Sequence, residues 1–95
     1  AFRASLEAHP HSAPARSNLG FVLYDLGRDD EALSEQQRAV EVEPGYANAH
    51  FGLGLIHKKL GDREQARRGF RRYLELSPRG PFSRKAEAHV RDLEQ

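Results

Sequence analysis

Histidines are the residues of this chain best suited to acid–base or metal chemistry, and their spacing argues against both. His9 and His11 flank Pro10, too sparse a set for a metal site, and read as solvated turn residues. His50 and His57 are seven residues apart, two helical turns or about 10.5 Å along a helix axis, too far to share one ion easily. His89 stands alone. No Ser/His/Asp order, no carboxylate pair beside a nucleophile and no phosphate-cradling glycine loop accompanies them. The chain has no Cys, which removes disulfides, thiolate metal sites and cysteine nucleophiles. The expectation is a noncatalytic chain with no cofactor and no metal.

Cations are the other chemically active group. Arg63, Arg67, Arg68, Arg71 and Arg72 are followed by Arg79, Arg84 and Lys85. Residues 1–48 carry four basic and eight acidic side chains, a net of −4, and residues 49–95 carry eleven and six, a net of +5. Such asymmetry steers partners or neighbouring copies. A basic stripe could meet nucleic acid or an anionic membrane surface, but no stacking aromatics are interleaved with this one. A solvated face, or contact with the acidic half of another copy, is the expected role, and nucleic acid is disfavoured.

Ninety-five residues fit one small domain. The chain is polar, but its apolar residues are periodic, which argues for order over most of it. No apolar run approaches the roughly 20 residues of a spanning helix, and no signal peptide begins the chain. The compartment stays open, with the cytoplasm favoured. The absence of any Met suggests a piece of a longer protein, and twelve Arg against three Lys suggests a GC-rich bacterial coding genome.

The elements that position these groups come in two copies. Residues 13–46 align without a gap on residues 47–80, a period of 34, with ten identities. Leu19-Gly20 returns as Leu53-Gly54, Leu26-Gly27 as Leu60-Gly61, Ala32 as Ala66 and Pro44 as Pro78. A fixed period of this length marks stacked units that bury their faces against their neighbours. Each unit reads helix, tight turn, helix. Leu19, Val22, Leu23 and Leu26 form an i, i+3, i+4, i+7 stripe expected to be core, as do Leu53, Ile56 and Leu60. Gly27 and Gly61 end first helices. Asp29, Asp30 and Asp62 suit the starts of second helices, and Pro44 and Pro78 stop them. Gly20 against Ala32, and Gly54 against Ala66, are the expected close crossings.

The ends continue the register. Pro10 stands 34 before Pro44, and Phe2 and Leu6 match core positions, so residues 1–12 read as the trailing second helix of a partial repeat. From Pro81, a helix with Phe82, Ala86, Val90 and Leu93 as its stripe reads as a cap with a polar outer face.

The pattern resembles the tetratricopeptide repeat, W-x₂-L-G-x₂-Y, A-x₃-F, P over 34 residues. The first copy reads Arg16-x₂-Leu19-Gly20-x₂-Leu23, Ala32-x₃-Gln36, Pro44. The second reads His50-x₂-Leu53-Gly54-x₂-His57, Ala66-x₃-Phe70, Pro78. Leu, Gly, Ala and Pro match twice, while Arg16, His50, Leu23, His57 and Gln36 replace aromatics. The resemblance implies an all-α, right-handed solenoid of antiparallel helix hairpins with a C-terminal capping helix. It also implies a protein-binding scaffold whose concave groove is lined by the first helices. There the groove residues would be Ser17, Phe21, Tyr24, Asn48, Phe51, Leu55 and Lys58. Spacing gives separate support: Ser17, Phe21 and Tyr24, like Phe51, Leu55 and Lys58, fall at i, i+4, i+7 on a face distinct from the leucine stripe. Phe21, Phe51 and Leu55 would offer apolar anchors beyond what the hairpin needs, with packing of Phe21 and Phe51 between adjacent repeats or against the final helix as the alternative. One subfamily clamps C-terminal carboxylates with Lys and Asn. Asn18, Lys85 and His89 could supply only part of such a clamp. The competing reading is self-assembly, the acidic half of one copy meeting the basic half of the next, with Phe2 and Leu6 left partly uncovered.

Overall fold

A computed structural model describes residues 12–95, and the expected trailing helix over 1–12, with Phe2, Leu6, His9 and His11, lies outside that range except for Ser12. Five helices follow: α1 (Ala13–Asp25), α2 (Asp29–Val42), α3 (Ala47–Leu60), α4 (Arg63–Leu76) and α5 (Ser83–Leu93). Among the described residues there is no strand. Each helix packs on the next, and α1 also touches α3. The architecture is therefore an all-α stack of two hairpins, α1–α2 and α3–α4, closed by α5.

Local chemistry explains the breaks. The Ser12 side chain accepts the Ala15 amide at 3.3 Å, with Pro14 in the first turn of α1. Gly27 and Gly61 take φ of 82° and 88°, the left-handed turn that ends α1 and α3 at little cost only for glycine. Asp62 caps α4 by accepting the Gln65 amide at 3.2 Å. Asp29 makes no side-chain cap. With Asp30 and Glu31 it fills the first turn of α2, where carboxylates complement the helix dipole.

Packing departs from the expected leucine stripe. In the first hairpin Leu23 is buried, but Leu19, Val22 and Leu26 are exposed, and Leu60 is exposed in the second. The seams are built from smaller residues: Ala13, Ala39 and Ala49 in one cluster, and Ala32 with Leu23 and Ile56 in another. Repeat symmetry gives the reason. Ile56, the counterpart of Val22, is 1% exposed because α2 packs on α3, whereas Val22 is 54% exposed because no described element packs on the matching face of α1. Periodicity locates that face but cannot tell whether a neighbour covers it.

The glycine crossings also differ from expectation. A Cβ on Gly20 would meet the Gln36 side chain, and one on Gly54 would meet the Phe70 ring, both at 2.8 Å. Ala32 and Ala66 are fully buried, but the side chains nearest these glycines are others. The residue four positions after each alanine fills the space instead. The nearest backbone approach belongs to Gly69, whose Cβ would lie 2.8 Å from the Gly54 nitrogen and the His50 carbonyl.

Candidate protein-binding face

The face implied for a partner lies on α1 and α3. Its floor is an aromatic cluster. Phe51 is 4% exposed and is surrounded by Phe70 (centroids 5.4 Å apart), Tyr73 (5.5 Å) and Phe82 (4.6 Å, near-parallel). Phe82 reaches it from outside the cap helix, which starts at Ser83, two residues later than the expected start at Pro81. Pro81 and Phe82 lie in the turn before α5, and the Phe82 amide donates to the buried Tyr73 hydroxyl at 3.0 Å. Phe21 leans on Phe82 from the first hairpin, centroids 6.4 Å apart. Ala86 and Leu93 of α5 complete the cluster.

The seven expected groove residues therefore divide into two groups. Phe51 and Ser17 are buried rather than open to a visitor, which corrects their expected exposure. Phe51 is covered by the turn leading into α5. Ser17 sits beneath Gln36, whose Nε2 donates to the Ser17 carbonyl at 3.1 Å. Lys58 is half-buried, and its ammonium donates to His89 Nδ1 at 2.9 Å and lies 3.5 Å from Asp92, so it serves the cap. Phe21, Tyr24, Asn48 and Leu55 remain partly open. Tyr24 lies under the Lys59 ammonium, 5.1 Å from the ring centroid, a cation–π contact, and Lys59 is anchored by Asp29 at 3.1 Å.

His89 is committed as well. Its ring stacks on Phe70, centroids 4.6 Å apart and planes 11° from parallel, while Nδ1 accepts from Lys58. Burial, then the Lys58 charge, holds its pKa below the ordinary 6.5, with Lys85 adding to the effect and Asp92 opposing it. A neutral ring locked in this way is unsuited to clamping a carboxylate. The basic residues of the second hairpin also grip the cap. The Arg63 guanidinium donates to the Leu93 carbonyl at 3.1 Å and Arg71 pairs with Glu94. The sequence offered no signal for this latch, because its members lie 23 to 34 residues apart.

Among the described residues no three His, Asp or Glu side chains converge to hold a metal ion, and no helix is long and apolar enough to cross a membrane. What the arrangement offers is a partly apolar surface over a packed cluster, suited to noncovalent contacts.

The sequence profile of the tetratricopeptide repeat family matches residues 11–79. The chain belongs to the tetratricopeptide repeat (TPR) family. Similar proteins include the CTR9 homolog of Arabidopsis thaliana, 38% identical over 82% of this chain and 7% of that protein. DnaJ homolog subfamily C member 7 of Mus musculus is 32% identical over 79% of this chain and 15% of its own length. The Hsp70-Hsp90 organizing protein of Triticum aestivum is 29% identical over 81% and 13%. This TPR chain thus spans less than a fifth of the length of these relatives. The Gln at position 36, where the TPR pattern has Phe, is what its two flanking glycines accommodate: Cβ atoms on Gly20 and Gly52 would both collide with it.

Proposed function

We propose that this TPR segment is a noncatalytic module that binds a protein or peptide segment along the first-helix face. Phe21, Tyr24, Asn48 and Leu55 make the contacts, with Phe51 in the packed layer beneath them, while Ser17 is buried under Gln36 and Lys58 holds the cap. One observation carries the reading: Phe21 and Leu55 stay partly open where they pack on the buried aromatic cluster, and Tyr24 stays partly open on the neighbouring cluster of Leu23, Ala32 and Ile56. A surface fixed before binding loses little conformational freedom when a partner docks. Kinship with proteins named for organizing Hsp70 and Hsp90, and for DnaJ homology, supports an adaptor role. The carboxylate-clamp version finds no support in the positions of Ser17, Phe21 and His89. Panning a displayed peptide library against the chain tests the reading. Selected peptides should lose about tenfold or more in affinity on Tyr24→Ala/Leu55→Ala, since truncating a contact residue commonly costs over 1 kcal/mol, while helical circular dichroism is kept. Peptides that bind both proteins equally would end it.

A second reading, self-association, is favoured by the exposed Leu19, Val22 and Leu26 of α1 together with the acidic and basic halves. No described element packs on the α1 face around Val22, whose counterpart Ile56 is covered by α2, so that face is where a helix from another copy would dock. Light scattering against salt decides it. Salt-sensitive dimers or chains support association, and a salt-insensitive monomer excludes it.

A further inference from the structure

The second hairpin has a cleft of about 440 Å³ between α3 and α4, on a different side of α3 from the proposed partner face. Its apolar floor is Leu53 and Gly69, and its rim is His50, His57, Arg68 and Arg72, with Glu75 at one end. In the first hairpin an ion pair bridges the helices at the matching place, with Arg16 Nη1 and Glu35 Oε1 3.0 Å apart and both side chains largely buried. Their counterparts are His50 and Gly69. His50 Nε2 donates to the Pro44 carbonyl at 2.8 Å, and Gly69 has no side chain to reach back. The bridge is gone and a cation-rimmed gap is left. Arg68 and Arg72 pair only with exposed carboxylates of their own helix, Glu64 at 3.0 Å and Glu75 at 3.3 Å. Such pairs contribute little and exchange readily for an incoming carboxylate.

We infer that this cleft is a second docking site, taking a short acidic peptide segment whose carboxylates meet Arg68 and Arg72 and whose aliphatic side chain rests on Leu53. Charge complementarity selects the occupant, because the guanidinium fork matches carboxylate geometry and residues 49–95 carry a net +5. The floor favours peptide over nucleic acid, since Leu53 and Gly69 offer an aliphatic contact, no Phe, Tyr or Trp lines the cleft for a base to stack on, and the His50 ring is engaged by the Pro44 carbonyl. The inference shares with the proposed function only the premise that the chain binds proteins, and it needs nothing from the first-helix face.

Fluorescence anisotropy on the full chain at low salt tests it, using a short labelled peptide of Asp, Glu and Leu. Comparators are the Asn/Gln/Leu analogue, the Asp/Glu/Gly analogue and a labelled single-stranded oligonucleotide. The acidic peptide should bind, and the uncharged analogue should not. Arg68→Gln/Arg72→Gln should weaken binding about tenfold or more, as expected for losing charge-assisted hydrogen bonds. Arg79→Gln/Arg84→Gln should leave it unchanged. The Gly analogue should bind more weakly than the Leu peptide, and Leu53→Ala should narrow that difference. Tyr24→Ala/Leu55→Ala should bind the acidic peptide normally, which separates this site from the other face. No binding, equal binding by Arg68→Gln/Arg72→Gln, or an oligonucleotide bound more tightly than the peptide would each overturn the inference. The substituted arginines are exposed, so the fold is not at stake.

Discussion

Phe82 lies flat on Phe51, ring centroids 4.6 Å apart and planes within 10° of parallel. One ring belongs to a first helix and the other to the turn before the cap, so this contact joins the second hairpin to its closing element. It also turns Phe51 from a groove residue into the floor beneath one.

Phe82→Ala should therefore loosen the cap. Phe→Ala in a full core costs about 3–5 kcal/mol, and the half-buried Phe82 should cost about 2–3 kcal/mol, read as a lower urea midpoint. A loss under about 0.5 kcal/mol, the usual range for surface changes, would show that the stack contributes nothing to closure.

Gln36 and Gly52 should give a sign reversal. A Cβ at Gly52 collides with the Gln36 amide, so Gly52→Ala alone should destabilise by about 1–3 kcal/mol through overpacking. With Gln36→Ala already present the collision is gone. The second alanine should then add up to about 1 kcal/mol, the helix advantage of Ala over Gly. Additive effects in the double-mutant cycle would refute the proposed contact.

The His89 latch makes stability depend on pH. The folded-state pKa is lowered from 6.5, so between that lowered value and 6.5 the unfolded chain binds the extra proton. The latch contribution is fully present above about pH 6.5 and is lost as pH falls through the folded value. Protonation would replace the Lys58 donation by two facing cations, with Lys85 nearby and only Asp92 opposing. Thermal melts should show a falling midpoint from pH 7 to pH 5, and His89→Gln should flatten the slope. An unchanged slope in that variant would assign the pH dependence elsewhere.

Two glycines should respond differently to alanine. At Gly61 the space is open but φ is +88°, so Gly61→Ala should cost about 1 kcal/mol in backbone strain. At Gly69 the obstacle is the backbone of α3, which cannot turn aside. Gly69→Ala should therefore cost at least about 2 kcal/mol, toward the upper part of the overpacking range. Denaturant titration of both variants ranks them, and a Gly69→Ala loss no larger than that of Gly61→Ala would mean that the helices separate freely.

The family, the helices and the left-handed glycines were legible because each depends on residues near in sequence. Leu-Gly, Ala and Pro recur at one offset, and Gly27 and Gly61 follow the apolar runs they end. The candidate face was legible in position but not in exposure. Ser17, Phe21 and Tyr24 do share a helix face, yet spacing says nothing about what lies opposite it. Phe82 covers Phe51 from 31 residues away, and Gln36 covers Ser17 from 19.

The sequence alone determined that amphipathic hairpins form and repeat, since propensity, capping and periodicity are local properties of the chain. Only the tertiary structure decided which apolar residues are buried, because burial belongs to two surfaces at once. Val22 and Ile56 hold the same place in their repeats, and among the described residues only Ile56 has a helix packed over it. The same holds for the cleft above Leu53, which opens because an ion pair found in one hairpin has no counterpart in the other.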